Sequence, residues 1–156
     1  VEFLPSEQAG LHRMIATNLH NTAMPLLRYD TGDLVELAEK PCSCGRAFPL
    51  VKRIVGRSDQ LLWHRNGFPI PSINLYTYFA KQEDIVRFQI IQYSKEEVEV
   101  RLALRAGVNQ GDVMQHVRGE MRLRFGCEVN VVVTQDFEQS GEGKCLPILQ
   151  KAPLDT

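Results

Sequence analysis

Three short segments of this chain carry side chains whose types and spacing could do chemistry. The first is Arg28-Tyr29-Asp30-Thr31-Gly32-Asp33. A carboxylate on a rigid turn can accept two hydrogen bonds from adjacent hydroxyls of a sugar, and Asp33 is the candidate, with Tyr29 and Thr31 beside it. Turn statistics alone favour a plain β-turn here, with Gly for backbone freedom and Asp and Thr bonding local amides. The second is Gly56-Arg57-Ser58-Asp59-Gln60. Arg57 offers a fixed fork of donors to a phosphate or ribose. Asp59 stands where the character of the chain changes, a place where few residues absorb a backbone rotation. Taken alone, this is also what a linker with an ordinary surface Arg–Asp pair looks like. The third is Ser140-Gly141-Glu142-Gly143-Lys144. A Lys on a Gly-rich loop can deliver a point charge to a phosphate or carboxylate as charge shifts in a transition state. The nucleotide-cradling loop that ends in Gly-Lys-Ser/Thr is excluded, because Cys145 follows the Lys and no strand-to-helix context surrounds it. Singly, the segment describes a surface loop.

Cys42 and Cys44, separated by one residue next to Gly45, could be half of a four-ligand zinc site. His12 and His20 are conceivable third ligands, missing ligands could also lie in an absent N-terminal part, and Cys127 and Cys145 lie far along the chain. Free thiols in a surface turn are the simpler account. His64 and His116 read as surface histidines, and Trp63 as a core or interface anchor.

The elements that must position these residues fall into two kinds. Residues 1–56 show short extended runs joined by turns at Asp30–Asp33 and Pro41–Gly45, with no helical period, which predicts a β-rich element too short for a closed core of its own. After it, Leu61-Leu62-Trp63 reads as a short strand. Ser72 reads as the N-cap of a helix running to about Ala80. The alternation of Val98, Val100 and Leu102 with Glu99 and Arg101, after the run Val86–Ile90, predicts a hairpin with one buried face. Asp112 reads as the cap of a second helix, with Met114, Val117, Met121 and Phe125 as its apolar stripe and Gly126 past its end. Val129–Val133 reads as a buried strand. The order strand, helix, two strands, helix, strand predicts a small α+β domain over residues 59–156, preceded by the β-rich stretch 1–58.

The chain has 156 residues, is 44% hydrophobic and 24% charged, and carries a net charge of −1. This describes a globular protein without the basic footprint of a nucleic-acid partner. No apolar run reaches membrane-spanning length and no signal peptide opens the chain. Four cysteines are few for a secreted disulfide scaffold of this size, so a reducing cytoplasm is expected. The absence of an initiator Met suggests a fragment, though processing could also remove one.

In their order and spacing the three segments resemble the adenylate-forming superfamily of acyl-coenzyme A synthetases, and within it the phenylacetate-coenzyme A ligase branch. Asn18 through Leu34, containing Arg28-Tyr29-Asp30-Thr31-Gly32-Asp33, is similar to the branch's ribose-binding segment. Pro41-Cys42-Ser43-Cys44-Gly45-Arg46 is similar to its Cys-rich turn. Ile54-Val55-Gly56-Arg57-Ser58-Asp59 resembles its hinge, and Ser140–Lys144 its terminal lysine segment.

The resemblance implies an ATP-dependent, AMP-forming carboxylate–coenzyme A ligase using Mg²⁺, of which this chain would be the C-terminal piece: a β-rich stub of the large adenylation domain, then a mobile lid. Asp33 would hold the ribose hydroxyls, Arg57 would contact ribose or phosphate, and Asp59 would be the hinge. Lys144 would bridge acyl carboxylate and α-phosphate. The turn at Asn66-Gly67 would line the approach of coenzyme A, although the family's Gly stands one position earlier, where this chain has Asn66. The partners implied are ATP, coenzyme A, a carboxylic acid of aryl type and a missing N-terminal domain, and a homodimer is compatible with this. A different acceptor, such as a sugar or a protein amine or thiol, and a non-catalytic module of the same shape are the other readings. Alone, this chain is expected not to catalyse adenylation.

Overall fold

The computed structural model describes residues 1–8, 10–139 and 145–151. The chain divides into two compact units, Val1–Asp59 and Gln60–Thr156. The first is an antiparallel four-stranded meander of β1 (Glu2–Pro5), β2 (His12–Ala16), β3 (Tyr29–Leu37) and β4 (Val51–Arg57), in that spatial order. Leu11, Ile15, Leu34, Val35 and Val55 are buried within it. A single 3₁₀ turn, Ser58–Gln60, follows β4.

The turn expected at Asp30–Asp33 is not a chain reversal. These residues lie inside β3, which runs unbroken from Tyr29 to Leu37. The ladder instead shifts register beside them, between Arg13 and Ile15 on one side and between Leu34 and Val35 on the other. Local side-chain bonds and Gly32, at φ 75°, absorb the irregularity, so the residue types that signal a turn here build a bulge.

In the second unit β5 (Leu62–Trp63) and β6 (Pro69–Ile70) form a hairpin, followed by α1 (Ser72–Ala80), β7 (Ile85–Gln92), β8 (Val98–Leu104), α2 (Gln110–Phe125), β9 (Val129–Val133) and β10 (Ile148–Gln150). The sheet order is β10-β7-β8-β9, with β7 and β8 antiparallel and both outer pairings parallel. A parallel neighbour needs a crossover, which α2 supplies between β8 and β9. The α+β class is as expected; β6 and β10 are strands that the sequence pattern did not reveal, each too short to show a period.

Leu75 and Phe79 of α1 and Val117, Met121 and Phe125 of α2 close over Ile90, Val100, Leu102, Val131 and Ile148 of the sheet. Phe79 stacks on Phe88 at 4.1 Å between centroids. Each large side chain so buried contributes about 1.5–3 kcal/mol. Both expected caps move. Pro71 occupies the N-cap position of α1 without a side-chain bond, and Ser72 is buried as its first residue. Asn109 caps α2, its Oδ1 accepting the Gly111 N–H at 3.1 Å. Asp112 sits in the first turn, where its charge suits the helix dipole, and accepts from Asn109 Nδ2 at 2.8 Å.

Candidate functional site

In the first unit the sequence candidates converge on one stretch of β3 and its neighbour. The chain enters β3 through Arg28, whose φ of 49° is unusual for a residue with a side chain. Its N–H donates to Thr17 Oγ1 at 3.1 Å and its Nε to the Glu2 carboxylate at 3.2 Å. Asp30 accepts the Gly32 N–H at 3.0 Å and the Arg13 guanidinium. The Gly32 amide first, then Arg13, hold the Asp30 carboxyl below the usual aspartate range. Thr31 Oγ1 donates to Met14 O at 3.0 Å and accepts the Asp33 N–H at 3.2 Å, so its hydroxyl pins the backbone that carries Asp33. Tyr29 is exposed.

Asp33 is half-buried, and its carboxylate has no hydrogen-bond or ion-pair partner among the described residues. Arg57 stands directly opposite it across the β3–β4 ladder. Cross-strand partners keep their Cβ atoms about 4.5–5.5 Å apart. The Arg57 guanidinium reaches over Gly32, where an added Cβ would lie 3.0 Å from Nη2. Asp33 and Arg57 are thus cross-strand partners on a backbone locked by Asp30 and Thr31, with the Arg57 guanidinium over Gly32.

Asn66 and Gly67 belong to the second unit, at the tip of the β5–β6 hairpin. The tip is closed by His64 N–H to Phe68 O and Gly67 N–H to His64 O, both 2.8 Å. The Asn66 N–H donates to His64 Nδ1 at 3.1 Å, which makes that nitrogen the acceptor. His64 is therefore a structural part of the turn rather than a surface bystander, and its ring lies against Gly126, the αL cap of α2. Lys144, with the rest of Ser140–Lys144, lies outside the described residues. Its flanks are described: Gln139 and Cys145 form an isolated antiparallel bridge. Two residues that sequence reasoning did not single out are Gln89 and Gln92, both 0% exposed on β7. Their only signal is a pair of amides inside an otherwise apolar strand end.

Cys42 and Cys44 gather no further ligand among the described residues. Among the described residues no group of three or more His, Cys, Asp or Glu could hold a metal ion, so neither His12 nor His20 completes a zinc set. The four cysteines are free thiols. A hydrogen bond from Cys42, then one from the Arg46 backbone, hold the exposed Cys44 thiol below its ordinary range, whereas burial pushes the Cys127 thiol up. Since the thiolate is the nucleophile, iodoacetamide at neutral pH is expected to modify Cys44 well before Cys127. Peptide mapping over a time course checks this, and early labelling of Cys127 would contradict the packing around it.

The CapK C-terminal domain family model matches residues 62–150. Protein CapK of Staphylococcus aureus is 30% identical over 123 residues, covering 78% of this chain and 27% of that protein. The phenylacetate-coenzyme A ligase of Thermus thermophilus is 37% identical over 90 residues, covering 58% of this chain and 20% of that one. The crystal structure of 2-hydroxyisobutyryl-CoA ligase in the postadenylation state superposes with a TM-score of 0.54 at 18% identity, over 95% of this chain and 33% of that one, a likeness of fold. The chain spans 20% to 35% of the length of the curated relatives it matches.

Proposed function

Because this chain belongs to the CapK C-terminal domain family, we propose that it supplies the ribose-side residues and the lid of an AMP-forming carboxylate ligase. The observation that carries this is the Asp33 carboxylate, on a backbone pinned by Thr31, without a partner among the described residues and across the ladder from Arg57. Two acceptor oxygens on a fixed backbone suit the adjacent hydroxyls of a ribose, and the guanidinium fork suits its ring oxygen or a phosphate.

In this reading a carboxylic acid, of aryl type by analogy with phenylacetate, attacks the α-phosphorus of ATP. One P–O bond forms, the bond to pyrophosphate breaks, and an acyl-adenylate results. Lys144 offsets charge where two anions meet. Mg²⁺ would enter with the nucleotide and neutralise its phosphates. Asp59, in the 3₁₀ turn after β4, is the hinge that lets one lid serve two steps. In the second step the thiol of coenzyme A attacks the acyl carbon and AMP leaves, with Asn66 and Gly67 beside the incoming thiol.

The test is nucleotide affinity of the full-length protein. Asp33→Ala is expected to weaken AMP or ATP binding about tenfold or more, since each charge-assisted hydrogen bond lost is worth about 1.5–3 kcal/mol. The melting temperature should hold, because no group among the described residues loses a side-chain partner. Unchanged affinity by titration calorimetry would reject the assignment and favour a non-catalytic module. Asn66 in place of the family's Gly favours testing a second acceptor class: wild-type protein given a preformed acyl-adenylate should be offered coenzyme A and amines in parallel.

A further inference from the structure

The two elements assigned to the two half-reactions are each tied to strand β7 by one buried glutamine. Gln92 is 0% exposed. Its Oε1 accepts the Trp63 N–H and its Nε2 donates to Trp63 O, both at 2.8 Å. The amide thus imitates a neighbouring strand for β5, the first arm of the hairpin whose tip holds Asn66 and Gly67. Gln89 is also 0% exposed. Its Oε1 accepts the Glu138 N–H at 2.9 Å, and its Nε2 donates to Glu138 O and to Leu146 O, both at 2.8 Å. Those two residues flank the Gln139–Cys145 bridge on either side of segment 140–144. Neither amide can be flipped, because each oxygen faces an N–H and each nitrogen faces a carbonyl.

The pairing of β7 with β8 is regular from Arg87 to Gln92. Side chains alternate along a strand, so positions 89 and 92 project to opposite faces. Burying a primary amide is unfavourable unless its donors and acceptors are met, so two such residues in one strand end are held there by their partners. An apolar residue would serve the core equally well, but it would leave the backbone groups of Trp63, Glu138 and Leu146 without these bonds.

We propose that Gln89 and Gln92 are positioning residues with separate duties. Gln89 sets where the chain leaves and re-enters around Lys144, and so serves adenylation. Gln92 sets the hairpin bearing Asn66 and Gly67, and so serves transfer to the acceptor. The assignment of duties rests on the ligase function proposed above; the clamping itself does not.

Hydrogen exchange on the wild-type chain should find the Trp63 and Glu138 amides as protected as those of β7. Gln89→Met, which keeps length and shape, should speed exchange at Glu138 about tenfold and spare Trp63; Gln92→Met should do the reverse. Open exchange at both amides in the wild type, or exchange rising throughout residues 60–151 in both variants, would overturn the proposal. In the full-length protein, Gln89→Met should lower kcat for pyrophosphate release about 10–100-fold with KM for ATP unchanged. Transfer from a supplied acyl-adenylate should persist. Gln92→Met should show the opposite split, and equal loss of both steps in either variant would refute separate duties. A wild-type protein that forms no acyl-adenylate would instead sink the ligase reading, while the exchange pattern still decides the clamps.

Discussion

Lys144→Ala in the full-length protein is expected to lower acyl-adenylate formation about 10²–10³-fold while leaving transfer from a supplied acyl-adenylate nearly intact. The asymmetry follows from charge. Adenylation brings a carboxylate against a polyphosphate, so a cation at the meeting point stabilises the transition state more than the separated reactants. Transfer joins a thiol to a mixed anhydride and has no comparable build-up of negative charge between two anions. Two of the three residues before the Lys, Gly141 and Gly143, are glycines, and Cys145 after it forms an isolated backbone bridge with Gln139. Lys144→Arg should recover only part of the loss, because a planar fork does not replace a compact point charge. Pyrophosphate release and thioester formation, measured separately, check the split. An equal loss in both steps would assign Lys144 to the integrity of the domain instead.

Much of the fold was legible because its patterns are local. The alternation of Val98, Val100 and Leu102 with Glu99 and Arg101 follows from one buried face, and those three apolar residues are buried. The stripe Val117, Met121 and Phe125 follows from the helical period, and Gly126 from the need for a left-handed cap. The candidate site was half legible. Asp33 and Arg57 are picked out by residue type, but only the ladder shows that they stand opposite each other. The stretch Asp30–Asp33 has the composition of a turn, and whether such residues reverse the chain or bulge a strand depends on β2 and β4 at its sides. Asn109 and Asp112 are both of types that cap helices, and only the backbone decides which one does. The glutamine clamps were not legible at all. Their partners lie 29, 49 and 57 residues away, and nothing in a local window shows that an amide will meet a distant backbone.

Gly126→Ala is expected to destabilise the second unit by about 2–5 kcal/mol, the sum of two separable costs. The first is conformational: Gly126 has φ 71°, and a side chain in the left-handed region costs about 1–2 kcal/mol. The second is steric, since a Cβ there would lie 2.4 Å from His64 Nε2 and 2.5 Å from Cε1. The imidazole cannot simply swing aside, because its Nδ1 accepts the Asn66 N–H and the Arg65 N–H is bonded to Phe125 O at 2.8 Å. Forcing it away disturbs the hairpin tip, at about 1–3 kcal/mol for overpacking. A double-mutant cycle with His64→Ala separates the terms. Removing the ring should restore the steric part and leave the conformational part, so the double variant should be more stable than Gly126→Ala alone. Each kcal/mol should appear as roughly 4–8 °C in the melting temperature of a unit this size. Additive losses across the cycle would show that His64 and Gly126 are not coupled. A coupled result makes a sharper statement about function: the αL cap of α2 and the Asn66–Gly67 turn share one packing contact. Gly126→Ala should then also slow transfer to the acceptor while adenylation is spared.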